Sequence, residues 1–97
     1  KKTLSGESEK YHNNLESILN DVSDRMKIPM DELQGKTRKR EVVDARFVFY
    51  RRAKRCTKAS LSRIGMAVGK HHATVLHGIR EAENTRQVVD LYERLYG

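Results

Sequence analysis

The sequence predicts an all-α protein, a small bundle of about six helices that contains a helix-turn-helix. Apolar residues recur at three- and four-residue spacing along most of the chain, which is the period of an amphipathic helix. No segment shows the sustained alternation of apolar and polar residues that is typical of a strand. Between residues 60 and 84, two short helical patterns are joined by about three residues that include Gly69, as in a helix-turn-helix.

We expect one domain over residues 1–97, with a loose N-terminal segment at 1–7, because a chain of this length can bury enough surface to fold alone. Nothing resembles a signal peptide, and no apolar run is long enough to span a membrane. We therefore expect a cytoplasmic protein without a membrane partner. The single cysteine, Cys56, cannot form an internal disulfide, and we expect it to lie in the core.

The first half of the chain predicts three helices. Helix one begins at about Ser8 and carries one apolar stripe, and Pro29 ends it because proline lacks an amide donor. A short turn over residues 30–33 follows and is closed by Gly35. The basic run Lys36 to Arg40 forms an extended arm before a long helix over residues 41–56, which buries Val42, Val43, Phe47, Phe49, Tyr50, Ala53 and Cys56.

The second half predicts three more helices. Ser60 is suited to be an N-cap, because its hydroxyl can accept from the free amides of the following turn. Gly65 permits a close approach within the helix pair, and Gly69 ends the first helix of the pair. The next helix runs from His72 to about Asn84 and buries Val75, Ile79 and Ala82, with Leu76 alongside. A last helix from about Thr85 turns Val88, Leu91, Tyr92 and Leu95 inward.

The net charge of +7 is concentrated in one segment. Residues 36–58 contain ten Lys and Arg against two acidic residues, whereas the flanking segments are close to neutral. A concentrated positive field attracts polyanions, most often nucleic acid. A charge run alone more often marks a solvated basic helix.

The stretch VGKHHATVLHGIR, from Val68 to Arg80, places hydrogen-bonding side chains at the entrance of a predicted helix. The second helix of a DNA-binding helix-turn-helix lies in the major groove and presents its N-terminal residues to the bases. Spacing alone also fits an ordinary αα-hairpin. The adjacent basic segment favours the DNA-reading interpretation.

The sequence does not indicate nucleotide binding, metal binding or catalysis. The stretch G-M-A-V-G-K has too few residues between its glycines for a Walker loop, and no Ser or Thr follows Lys70. His71, His72 and His77 point in different directions on a helix and do not converge on a metal. No nucleophile, base and orienting group can be assembled. We therefore expect no enzyme, no cofactor and no metal site.

The motif L-x-G-K-T-R-K-R-E-V-V-D-A-R and the later stretch C-T-K-A-S-L-S-R-I-G-M-A-V-G-K-H-H-A-T-V-L-H-G carry a family resemblance. The second stretch resembles the signature L-T-x-x-S-L-P-E-I-G-x-x-[FL]-G-G-R-D-H-T-T-V-L-H-A of the C-terminal DNA-binding domain of DnaA, the bacterial chromosomal replication initiator. The resemblance runs from about Leu15 to Arg80, and we expect it to include the final helix. It implies the helix-turn-helix bundle of that domain.

The resemblance also implies site residues for double-stranded DNA. It implies that Arg38, in the basic run Lys36 to Arg40, reads the minor groove. The major-groove readers are Lys70, His71, His72, Ala73 and Thr74, and the residues that would position the DNA backbone are Arg46, Lys54, Leu61 and Ser62.

The sequence departs from the family signature at several of these positions. One glycine of the G-G pair is missing, and His71 stands where the family has an acid. A carboxylate accepts from cytosine, whereas a histidine can donate to guanine. We therefore expect the same binding mode with a different preferred DNA sequence.

The expected function is sequence-preferring binding of double-stranded DNA, as in replication-origin recognition, by a nucleoid-associated domain that is monomeric in isolation. The chain would be either a fragment of an initiator that contains an ATPase domain or a stand-alone relative, such as a regulator. A different class of function stays open, in which residues 36–58 dock structured RNA or an acidic protein as a basic adaptor. A purely structural bundle is a third option.

Overall fold

A computed structural model describes residues 15–97, and these residues form helices and connecting loops without a strand. Helix α1 covers residues 15–26. It is followed by α2 (Met30–Leu33), α3 (Arg40–Cys56), α4 (Leu61–Ala67), α5 (His72–Asn84) and α6 (Arg86–Tyr96). The all-α prediction is confirmed. The predicted loose segment 1–7 and the predicted start of helix one lie outside the described residues.

Helix α3 is the centre of the bundle and contacts α2, α4, α5 and α6. Its apolar residues repeat at helical spacing and supply the largest share of the core. The neighbouring helices cover this stripe with one apolar face each, so the core lies along the buried side of α3. The fully buried apolar residues of α3 are Val42, Ala45, Val48, Phe49, Tyr50 and Ala53.

Helices α4 and α5 form the predicted helix-turn-helix. The hydroxyl of Ser60 accepts from the amide of Arg63 at 3.2 Å, so the predicted N-cap of α4 is confirmed. A side chain at Gly65 would overlap the carbonyl oxygen of Lys70, because the turn folds back against α4 at this point. Gly69 has φ +66°, a conformation that residues with a Cβ rarely adopt. The two glycines therefore make the tight turn possible.

Helix α6 packs against the other helices through two aromatic residues. Tyr92 is buried, and the hydroxyl of Tyr96 donates to Asp21 of α1 at 2.6 Å. The guanidinium of Arg25 donates to the carbonyl of Leu95 at 2.8 Å. The hydrogen bond from Tyr96 holds the pKa of Asp21 below its usual value. These contacts fasten the end of the chain to α1.

Two predicted core positions are wrong. Cys56 is exposed because it is the last residue of α3, where the chain turns away at Thr57. Leu76 is 39% exposed, because it lies about 100° around α5 from the buried residue Val75. Val75, Ile79 and Ala82 are buried as predicted. Among the helices of residues 15–97, none has the length and apolar character needed to cross a membrane.

Candidate nucleic-acid interface

Residues 35–39, which we call the basic loop, lie between α2 and α3 and are fastened by one buried side chain. The guanidinium of Arg46 donates at 2.9 Å to each of the carbonyls of Leu33, Thr37 and Glu32, and at 3.0 Å to that of Gly35. Arg46 is only 5% exposed. Two of these four charge-assisted hydrogen bonds hold the basic loop and two hold the end of α2, so Arg46 fixes the path of the chain between α2 and α3.

A second cation connects the basic loop to the turn of the helix-turn-helix. The ammonium of Lys70 donates to the carbonyl of Gly35 at 3.0 Å. Burial lowers the pKa of Lys70, and the positive charges of Arg46, Lys36 and Arg38 lower it further. Lys70 thus lies among the cations of the basic loop, although the two segments are far apart in sequence.

The basic loop and the entrance of α5 border one cavity of about 470 Å³. Arg38, Lys70 and Thr74 therefore lie on one side of the protein. Helix α3 supplies the cavity floor, because residues spaced by three and four positions lie on one face of a helix. Ten residues line the cavity, namely Lys36, Thr37, Arg38, Val43, Arg46, Phe47, Tyr50, Lys70, Thr74 and His77.

The predicted readers at the start of α5 face solvent. His71 is the N-cap of α5, and its Nδ1 accepts from the amide of Ala73 at 3.2 Å. The rings of His71 and His72 lie against each other, with centroids 4.1 Å apart. Residues 71–74 are all exposed. The polar edge of α5 is therefore accessible to a large partner.

The remaining predicted residues lie outside the cavity. Lys54 is exposed and lies one helical turn beyond Tyr50 on α3. Leu61 is half-buried against the core, and Ser62 is exposed. They are the first two residues of α4, whose amides have no carbonyl partner within the helix. Their predicted contacts with a DNA backbone stay predictions.

The geometry of Arg46 differs from the role predicted for it. The family resemblance implies that Arg46 positions the DNA backbone, but four of its five N–H groups are used within the protein. Its burial follows from its place on α3 directly below the basic loop. Arg46 is therefore a positioning residue for the loop that carries Arg38.

Six residues that line the cavity were not predicted as site residues, namely Lys36, Thr37, Val43, Phe47, Tyr50 and His77. The edge of the His77 ring packs on Phe47, with centroids 6.1 Å apart. The spacing of residues 43, 46, 47 and 50 could have indicated a common face of α3, but not that a loop crosses that face. Within residues 15–97, no three His, Cys, Asp or Glu side chains converge as metal ligands would.

In this bundle, a short capped helix, a glycine turn and a second helix with an exposed polar entrance lie beside a basic loop. This arrangement defines a helix-turn-helix protein. The family model described as bacterial dnaA protein helix-turn-helix matches residues 15–82. The chain belongs to this family.

Several curated relatives share this region. The chromosomal replication initiator protein DnaA of Flavobacterium psychrophilum is 50% identical over 64 residues, which is 65% of this chain and 13% of that protein. The protein of the same name from Porphyromonas gingivalis is 37% identical over 81 residues, 82% of this chain and 17% of that protein. The chain thus spans less than a fifth of the length of these two relatives.

Proposed function

We propose that this chain binds double-stranded DNA with sequence preference and contributes to the recognition of replication origins. In this proposal, α5 enters the major groove with residues 70–74 towards the bases. The basic loop reaches the neighbouring minor groove through Arg38. The observation that carries the proposal is the shared cavity, which puts an exposed arginine of the loop and the entrance of α5 on one side of the protein.

The electrostatics of this side support a polyanionic partner. Lys36, Arg38 and Lys70 crowd together, and an approaching phosphate would relieve their mutual repulsion. No carboxylate is among the ten residues that line the cavity. A DNA backbone supplies closely spaced negative charges that such a surface attracts.

The readers of the bases follow from exposure and hydrogen-bonding capacity. Thr74 and His72 are exposed at the first turn of α5 and have free polar groups for base edges. Lys70 contributes mainly by holding the basic loop through Gly35, with further N–H groups left for DNA. The relatives are named chromosomal replication initiators, which favours origin recognition as the biological role.

The proposal assigns binding rather than catalysis to this domain, at the nucleoid in the cytoplasm. Selection of bound sequences from a pool of random duplexes tests it. An enriched motif is expected, and the binding constant should fall with salt at a logarithmic slope of about −5 if roughly six phosphates are contacted. A pool that shows no enrichment would overturn the sequence preference.

The competing function is a basic adaptor for structured RNA or an acidic protein. We infer against it because the polar entrance of α5 is exposed beside the basic loop, which fits a DNA groove. Competition at equal concentration separates the two functions. Displacement of the selected duplex by structured RNA or by an acidic protein would favour the adaptor.

A further inference from the structure

His71 caps the first turn of α5 through one particular ring nitrogen. Its Nδ1 accepts a hydrogen bond from the amide of Ala73 at 3.2 Å. A ring nitrogen that accepts a hydrogen bond carries no hydrogen of its own, so the hydrogen of the neutral imidazole must lie on Nε2. A protonated ring has a hydrogen on both nitrogens and could not form this cap. The cap therefore fixes which nitrogen of His71 is the donor.

The orientation of the His71 ring is fixed as well. Because Nδ1 points back to the amides of α5, Nε2 on the opposite side of the ring points away from the helix. The ring also lies against that of His72, with centroids 4.1 Å apart and planes inclined by 35°. His71 is exposed, so a partner at the entrance of α5 can reach the Nε2–H group. His71 thus presents a donor in a set direction, while its acceptor is used within the protein.

A side chain that can only donate discriminates between bases. In the major groove, guanine presents two acceptors, N7 and O6, whereas adenine N7 and thymine O4 are single acceptors. Cytosine presents its N4 amino group, which is a donor. The Nε2–H group of His71 can therefore bond to guanine, but opposite cytosine two donors would meet. A carboxylate at the same place would have the reverse preference, because it only accepts.

We propose that His71 is a specificity-determining residue that selects guanine and rejects cytosine at one position of the DNA site. The preference arises because the cap of α5 places the hydrogen of the ring on Nε2. This inference rests on the proposed function and adds the chemistry that is read at one base. The neighbouring Thr74 differs, since its hydroxyl can both donate and accept.

Selection from random duplexes with the parent and two variants of His71 tests the proposal. The parent motif should contain a guanine that is preferred over cytosine roughly tenfold, as expected for one hydrogen bond. His71→Asp can still cap α5 but only accepts, so its motif should have cytosine in place of that guanine, with the other positions unchanged. His71→Ser can also cap α5 and can both donate and accept, so it should lose the preference at that position alone.

Asn84→Asp is the matched control for the added charge, because Asn84 is exposed at the other end of α5 and does not line the cavity. This variant should select the parent motif. Heteronuclear NMR of the imidazole nitrogens measures the tautomer of His71 without DNA, and the hydrogen is expected on Nε2. A hydrogen on Nδ1 would overturn the proposal. The change from guanine to cytosine in Asn84→Asp would overturn it as well.

The same selections separate this proposal from the proposed function. A parent motif that persists unchanged in His71→Asp would overturn the role of His71 and would leave sequence-preferring DNA binding standing. A parent pool without any enriched motif would overturn the proposed function, and the role of His71 would be wrong with it.

Discussion

The ammonium of Lys70 and the guanidinium of Arg46 donate to the same acceptor, the carbonyl oxygen of Gly35, each at 3.0 Å. One cation comes from the turn of the helix-turn-helix and the other from α3. Their shared acceptor lies at the start of the basic loop. The position of the loop is therefore coupled to that of α5.

Arg46→Ala should destabilise the fold, because the carbonyls of Glu32, Leu33 and Thr37 lose their charge-assisted donor and that of Gly35 loses one of its two. We expect a loss of roughly 2–4 kcal/mol in the free energy of unfolding, measured by urea denaturation. Arg38→Ala is the matched control, since Arg38 is exposed and should change stability by less than about 0.5 kcal/mol. Equal stability of the two variants would contradict the positioning role of Arg46.

Arg38→Ala should instead weaken DNA binding. Its loss should lower affinity for the selected duplex while the helical content of the protein stays unchanged, as checked by circular dichroism. Lys39→Ala is the control, because Lys39 is an exposed neighbour of the same charge that does not line the cavity. If Lys39→Ala lowered affinity as much as Arg38→Ala, the specific role of Arg38 would be wrong.

Gly65→Ala should destabilise the helix-turn-helix by about 1–3 kcal/mol, because the added methyl group overlaps the carbonyl of Lys70 and crowds Val75. Gly69→Ala is a useful comparison, since its cost comes from the backbone conformation and should be about 1–2 kcal/mol. Thermal unfolding gives both values. The Gly65 variant should also weaken duplex binding through the displaced turn. Unchanged stability of that variant would show that the turn is not closely packed.

Tyr96→Phe should lower the free energy of unfolding at neutral pH. It should also make that free energy less sensitive to acidification. The lowered pKa of Asp21 means that the unfolded chain binds the proton more readily than the native protein does. This contribution is complete above the ordinary pKa of an aspartate and is lost as pH falls through the lowered native value. Tyr96→Phe removes the main cause of the shift, so its stability should fall less steeply than that of the parent between about pH 5 and pH 2.

Burial raises the pKa of Asp44, so Asp44 has the opposite effect on stability as pH falls. The variant must therefore be compared with the parent. Asp44 is present in both proteins, so its contribution cancels in the difference. At neutral pH we expect Tyr96→Phe to cost about 1 kcal/mol through the lost hydrogen bond. Parallel pH profiles for the two proteins would contradict the assigned cause.

Local sequence signals predicted the helices well. The range His72 to Asn84 was predicted for α5 and is observed, because apolar spacing and a polar residue before the helix define its bounds. Ser60 was predicted as a cap for a similar local reason. Cys56 was placed wrongly, since spacing gives the face of a helix but not where neighbouring helices cease to cover it.

The site was predicted less completely, because its key contacts join distant segments. The sequence places Arg46 in a basic segment, but it does not indicate that the side chain turns inward beneath the loop of residues 35–39. Tyr50 fits the core pattern of α3, and its place in the cavity wall becomes visible only when α5 and the basic loop are in place. The surroundings of Arg46 and Tyr50 were not predicted because they are formed by segments that are distant in the sequence.

We expect the basic loop and the start of α5 to bind one duplex together. Amide NMR titration of the chain with the selected duplex tests it most directly. The amide signals of residues 36–38 and of residues 71–74 should shift together and saturate at the same DNA concentration. Shifts confined to one of these segments, or saturation at clearly different concentrations, would contradict it.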